Sequence, residues 1–213
     1  MAGETIDVLL VDDHTVVRNG LRLMLSSATD IRVAAEAEDA QQAMERVRAQ
    51  RFDVALIDIA MPGRNGLELL QWLRAETPHL AVLVLSTYAE DIYAVRALKL
   101  GAAGYLTKDS PTAVLIAAVR KAAAGGKYVS PALMERFATM MSGAPAATHE
   151  SLSNRELEVL KRIAKGESLT AIADALHLSP KTVTTYRARI MEKMGLHSNA
   201  ELARYAAENG LLA

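Results

Sequence analysis

The sequence predicts an α/β chain, a doubly wound, five-stranded parallel sheet followed by a small all-α unit. Three observations carry this. Five short apolar runs, each ending in polar residues, alternate with stretches whose apolar residues recur every three or four positions. Such alternation builds a parallel sheet with helices on both faces. Beyond residue 150 the strand-like runs stop and only helical periodicity remains.

The first run, Ile6 to Val11, is followed by Val17, Leu21, Met24 and Leu25, one apolar helix face. A second strand over 31–35 leads into an alanine-rich helix that Asp39 can cap, with Met44 and Val47 on its inner side. Val54 to Ile57 read as a buried strand ending at Asp58. Pro62, Gly63 and Gly66 break the chain there, and Leu67, Leu70 and Leu73 mark the next helix. A strand over 80–85, a helix carrying Ile92, Val95 and Leu98, and a strand over 103–106 follow. Pro111 opens a last helix that Gly125 and Gly126 stop. Trp72 and Met44 share helical spacing with Leu and Val and read as core. No glycine-rich phosphate loop supports a nucleotide pocket beside them.

Domain boundaries are expected near 126 and 150. Residues 1–126 form the α/β unit and 127–150 a linker carrying a helix over 131–141. The stretch 142–150, small, polar and broken by Pro145, reads as flexible. Within 151–213, Ser153 and Glu156 form a capping box ahead of Leu157, Leu160 and Ile163. A short helix through Leu169, Ile172, Ala173 and Leu176 is joined by a tight turn to a third. Ser179 is the N-cap of that third helix, Pro180 its first residue, and Gly195 its stop. A fourth helix spans about 199–209. Two short helices joined so briefly, the second richer in Lys and Arg, describe a helix-turn-helix.

Composition narrows the chemistry. Of 213 residues 51% are hydrophobic and 23% charged, an ordinary globular balance. The absence of cysteine excludes disulfides, thiolate metal sites and thiol redox chemistry. No apolar run approaches the length of a bilayer span, so the chain is read as cytoplasmic, without membrane contact. A net charge of −1 leaves nucleic-acid binding to local patches.

The acids at strand ends are the most informative residues. Asp12 and Asp13 end the first strand and Asp58 the third, where open α/β sheets place their sites. If both strands are central, three carboxylates converge and repel unless a cation joins them or one is protonated. Hard oxygen ligands in that number suit Mg²⁺. Capping by Asp12 or Asp13 is the plainer alternative for either one alone. Ser86 and Lys108, at the ends of the fourth and fifth strands, tip the balance toward phosphoryl handling. A lysine and a metal neutralise a transferring phosphoryl group, and a hydroxyl bonds one of its oxygens. His14, lacking other nitrogen ligands, reads as a surface or capping histidine.

On these residues, 5–125 resemble the receiver domain of a two-component response regulator, a flavodoxin-like fold. The carrying pieces are Asp12-Asp13, Asp58 followed by Met61-Pro62-Gly63 and Gly66, then Ser86, Tyr105 and Lys108. The resemblance implies that Asp58 accepts phosphoryl from a phosphohistidine on a sensor histidine kinase. It implies Mg²⁺ on Asp13, Asp58 and the Ala60 carbonyl, with Asp12 acting through water. Ser86 and Tyr105 would be the switch pair, and Lys108 would bind the phosphoryl group. Ala60 and Tyr88 would overhang it, with Tyr88 slowing self-hydrolysis.

On a helical wheel the third C-terminal helix turns Val183, Tyr186, Ile190 and Met194 inward. Lys181, Thr184, Thr185 and Ala188 face outward, flanked by Arg187 and Arg189. Small residues between cations suit the major groove, although a solvated helix face is the commoner fate of such a pattern. Residues 151–213 resemble a LuxR-type DNA-binding domain. The match rests on 152–160, Gly166, Ile172-Ala173, 178–183 with Lys181-Thr182-Val183, and Lys193-Met194-Gly195. Together the two halves resemble the NarL/FixJ class. Thr184, Thr185 and Ala188 would then face bases, with Lys181, Thr182, Arg187 and Arg189 alongside on double-stranded DNA. Leu202, Tyr205 and Ala206 are candidates for a homodimer contact, or else they close the small core.

The sequence is thus read as a phosphorylation-controlled DNA-binding regulator, dimeric when phosphorylated. It is not an enzyme beyond accepting phosphoryl and slowly losing it. A Mg²⁺ phosphatase is disfavoured because no second base, substrate pocket or lid is visible and a helix-turn-helix has no task there. A phosphate-independent binding module coupled to DNA is the alternative.

Overall fold

The structure, a computed structural model, describes residues 5–61, 65–86, 92–130, 133–135 and 148–212. The chain divides into two compact units, Met1–Phe137 and Ala138–Ala213.

In the first unit β1 (Ile6–Val11), β2 (Ile31–Ala37), β3 (Val54–Asp58), β4 (Ala81–Ser86) and β5 (Gly104–Thr107) form one sheet in the order β2-β1-β3-β4-β5. Every pairing is parallel. The crossovers are α1 (Thr15–Ser26), α2 (Ala40–Ala49), α3 (Gly66–Glu76) and α4 (Ile92–Lys99), and α5 (Thr112–Ala123) follows β5. Alternate strand residues serve opposite faces. Val8, Leu10, Leu56, Leu83, Leu85 and Leu106 pack with Leu21 and Leu25 of α1 and with Leu115 and Val119 of α5. Leu9, Val11, Ile57, Val84 and Tyr105 alternate with them and are also buried. Both faces of the sheet are therefore dry, which is why its strands read as nearly continuous apolar runs.

The strand β2 extends two residues beyond the expected 31–35. It is an edge strand, so Glu36 can keep its main chain in the ladder opposite Leu10 while its carboxylate reaches Arg18. Trp72 is half-buried with the Arg48 guanidinium 5.3 Å from its ring centroid, a packing arrangement. The helix expected over 131–141 and the segment 142–147 lie largely outside the described residues, as do Pro62, Gly63 and Tyr88.

The second unit begins with a 3₁₀ turn (Thr148–Ser151), then α6 (Asn154–Ala164), α7 (Leu169–Ala175), α8 (Pro180–Met194) and α9 (Asn199–Glu208). Leu157, Leu160, Ile172, Val183, Ile190, Leu202 and Ala206 make its core. Ser153 and Glu156 form the expected capping box on α6. Ser179 caps α8 with Pro180 in its first turn, and Gly195 ends it in the left-handed region at φ 63°.

Candidate functional site

Parallel strands that end together bring their last residues to one edge of the sheet. Asp12 follows β1, Asp58 is the last residue of β3, Ser86 the last of β4, and Lys108 follows β5. Asp12, Asp58 and Ser86 are buried. The Lys108 ammonium reaches across β4 to lie 2.6 Å from Asp12 Oδ2 and 2.8 Å from Asp58 Oδ2. Its backbone N–H donates to the Ser86 carbonyl at 2.8 Å, tying the ends of β4 and β5 together.

Asp13 lies at the rim, with His14 Nδ1 2.7 Å from its Oδ1. Asp12 Oδ1 accepts the His14 backbone N–H at 2.8 Å, which turns the chain into α1. Behind the acids sits an arginine that the sequence reading missed. Arg18, buried in α1, donates to the Asp12 carbonyl at 2.6 Å, to Glu36 at 3.2 Å and to Glu38 at 2.9 Å. A signal for it exists: Arg18 precedes Leu21 by three positions and Leu25 by seven, inside an apolar stripe where an arginine needs buried partners.

The electrostatics follow from crowding. Burial pushes the Asp58 carboxyl above the usual range and the Asp12 charge adds to this, while Lys108 and the Ala60 N–H pull against it. Burial also works against the Lys108 charge, but the two carboxylates outweigh it and hold the ammonium more firmly protonated. One lysine does not saturate the cluster. Asp12 Oδ2 and Asp58 Oδ2 share the single Lys108 ammonium, and Asp13 Oδ1 is buried beside His14 Nδ1, so three carboxylates have one lysine among them. Ligand atoms from Asp12, Asp13, His14 and Asp58 all lie within 4.8 Å of one another. Inward lone pairs on three carboxylates fit a hard divalent cation.

Ser86 and Tyr105 occupy adjacent strands and both are buried, Tyr105 at 0% exposure. Gly66 opens α3 beneath the site, where any side chain would be driven into the Asp58 carbonyl.

In the second unit, Lys181, Thr184, Thr185, Ala188 and Arg189 are exposed on α8, while Val183, Ile190 and Met194 are buried. Two residues of the expected set, and Lys193 beside them, are held by the protein. Thr182 is half-buried, its hydroxyl 2.8 Å from that of Ser179 in the helix cap. Arg187 Nε donates to Asn199 Oδ1 at 2.7 Å. Lys193, counted among the cations, pairs with Glu156 at 2.7 Å and so braces α8 against α6. The dimer candidates differ in exposure. Leu202 and Ala206 are fully buried, and Tyr205 is half-buried with its hydroxyl 2.9 Å from His149 Nδ1. Leu202 and Ala206 therefore close the small core, whereas Tyr205 keeps part of its surface exposed beside its bond to His149.

Comparison with known proteins agrees with both halves. Residues 8–120 match the family model described as response regulator receiver domain, and residues 150–206 match that of bacterial regulatory proteins, luxR family. The chain is 37% identical over 210 residues to the response regulator GacA of Pseudomonas aeruginosa, covering 97% of this chain and 98% of that one. It is 35% identical over 209 residues to the response regulator UvrY of Escherichia coli K12, covering 97% and 95%. Among solved structures, the response regulator ChrA of a heme-sensing two-component system aligns with a TM-score of 0.54 at 35% identity, over 97% and 98% of the chains. RcsB of Salmonella enterica serovar Typhimurium, bound to the P1flhDC promoter with the phosphomimetic BeF₃⁻, aligns at 0.68 and 25% identity, over 96% and 100%. The two family models match in this order along this chain and the likeness runs nearly the full length of these relatives, so the chain belongs with them to the response regulators, as a two-component transcription regulator with a receiver and a LuxR-type DNA-binding domain.

Proposed function

We propose that Asp58 is the phosphoacceptor of this regulator and that its state governs DNA binding by α8. The observation that carries this is the buried contact of Asp58 with Lys108, which also lies 2.6 Å from Asp12, with Asp13 at the rim beside them. An Asp58 carboxylate oxygen attacks the phosphorus of a phosphohistidine on a sensor kinase. The P–O bond forms as the P–N bond breaks, and the imidazole leaves with the bonding pair. Lys108 is placed to bind a phosphoryl oxygen, and the Ser86 hydroxyl to bond another. Asp13, Asp58 and the Ala60 carbonyl would hold Mg²⁺, with Asp12 acting through water. The ion supplies charge neutralisation that lets a phosphoryl dianion approach the acids.

The added charge, up to about −2, draws Ser86 toward the phosphoryl group and favours the inward Tyr105. This is a shift in population between two conformations of the switch pair. The output is DNA binding by paired copies, with Thr184, Thr185 and Ala188 toward the bases. Lys181, Arg187 and Arg189 lie near phosphates, and Thr182 contributes through the helix cap. Slow self-dephosphorylation, a receiver boundary near 126 and a DNA-binding domain from 151 complete the reading. No helix among the described residues is long and apolar enough to cross a membrane.

The test is phosphorylation by acetyl phosphate with Mg²⁺, read by intact mass and by affinity for duplex DNA. Gain of one phosphoryl and tighter binding, both absent in Asp58→Asn, are expected. Unchanged donor-dependent affinity in Asp58→Asn overturns the proposal and favours the phosphate-independent module.

A further inference from the structure

The outward face of α8 carries an unusual combination. Thr184 Oγ1 donates to the Pro180 carbonyl at 2.9 Å, and Thr185 Oγ1 donates to the Lys181 carbonyl at 3.1 Å. A hydroxyl has one hydrogen, and here both are turned back onto the helix's own main chain. Ala188, on the same face one turn on, has only a methyl group. Three adjacent exposed positions therefore present methyl groups and hydroxyl lone pairs, with no hydrogen-bond donor. Arg187 lies at the flank of this face, its Nε engaged by Asn199 at 2.7 Å and its terminal nitrogens directed past the three positions toward the phosphate side in the proposed reading.

Major-groove chemistry makes this a selective surface. Guanine offers only the acceptors O6 and N7 and needs donors to be read. Thymine offers a C5 methyl, which meets Ala and Thr methyl groups by apolar contact. We propose that Thr184, Thr185 and Ala188 form a methyl face that selects A·T pairs by contact with thymine C5 methyl groups. Lys181 on the same face and Arg189 at its edge set position on the phosphates. The inference rests on α8 being the helix that enters the major groove, and it adds which chemical group that helix reads.

The experiment uses the phosphorylated full-length chain. Tight-binding duplexes are selected from a random pool, and each dT in the half-site is then replaced by dU, which removes only the C5 methyl. At one or more A·T positions, dU is expected to weaken binding about three- to five-fold, the worth of one buried methyl. Thr184→Val and Thr185→Val, which keep methyl groups and lose the hydroxyl, should retain the dT preference. Thr184→Ser and Thr185→Ser, which lose the methyl, should erase it at their own positions. Equal affinity for dT and dU throughout a selected site overturns the inference while leaving α8 as the DNA-reading helix. Loss of binding in the Val variants with retention in the Ser variants also overturns it, in favour of reading by the hydroxyls. Failure to select any duplex overturns the inference and the reading beneath it together.

Discussion

Arg18 donates to the backbone carbonyl of Asp12 at 2.6 Å, from within the apolar stripe of α1. Its other nitrogens hold Glu36 on β2 and Glu38 just beyond. One guanidinium thus fixes the turn that carries the acid pair. Arg18→Met keeps the length of the stem and removes every one of these bonds. A loss of about 2 kcal/mol of stability is expected, together with slower phosphorylation by acetyl phosphate at every Mg²⁺ concentration. Denaturant titration and single-turnover phosphorylation check the two effects; a fully stable, normally phosphorylated variant would remove Arg18 from the site.

Asp58 is expected to oppose the stability of the metal-free protein. Its pKa is raised on folding by burial first, and by Asp12. A raised carboxyl contributes stability present below its unfolded value of 3.8 and lost as pH rises through the folded value. Asp58→Asn mimics the neutral form, so in EDTA at pH 7 it should be more stable than the native protein. The gap should close as pH falls toward 3.8. Mg²⁺ at about 100 times its Kd should raise native stability by about 2.7 kcal/mol and the variant by far less. Thermal melts with and without the ion decide.

Gly66→Ala tests the floor of the site. The new methyl would meet the Asp58 carbonyl, which is main chain and cannot swing aside. Relief requires the turn between β3 and α3 to move, at a cost of about 3 kcal/mol. Melting temperature and phosphorylation rate should fall together. A loss of stability without any loss of rate would show that the turn moves away from Asp58.

Glu156 behaves oppositely to Asp58. Burial pushes its carboxyl up, but bonds from Lys193 and from the Ser153 backbone and hydroxyl outweigh this and leave it lowered. A lowered carboxyl contributes stability present above its unfolded value of 4.5 and lost as pH falls through the folded one. Glu156→Gln should cost about 2 kcal/mol at pH 7. The difference from the native protein should shrink only below pH 4.5. Melts of the native and variant proteins across the acid range provide the measurement.

What the sequence disclosed and what it hid follow from the range of each interaction. Asp12, Asp58, Ser86 and Lys108 were legible because each stands where an apolar run ends, and parallel strands align such ends. The capping box of Ser153 and Glu156 is local and was equally plain. Arg18 was hidden because its partners are a main-chain carbonyl on one strand and carboxylates at the end of another, visible only once β1 and β2 are in register. The partner of Lys193 was equally hidden, since Glu156 comes within 2.7 Å only once α8 packs on α6. Leu202 and Ala206 showed a helical apolar face, but periodicity alone does not say whether such a face meets its own core or a second copy.

The reach of Lys108 over β4 has a consequence for synthesis. Ribosomes deliver Asp12, Asp13 and Asp58 long before the lysine that balances them, and the ammonium arrives only when β5 takes its place beside β4. Until then a partly made receiver has the three acids without the Lys108 ammonium that stands among them. On the proposed role of Asp58, a nascent chain is a poor substrate, and competence to carry a signal arises together with completion of the sheet.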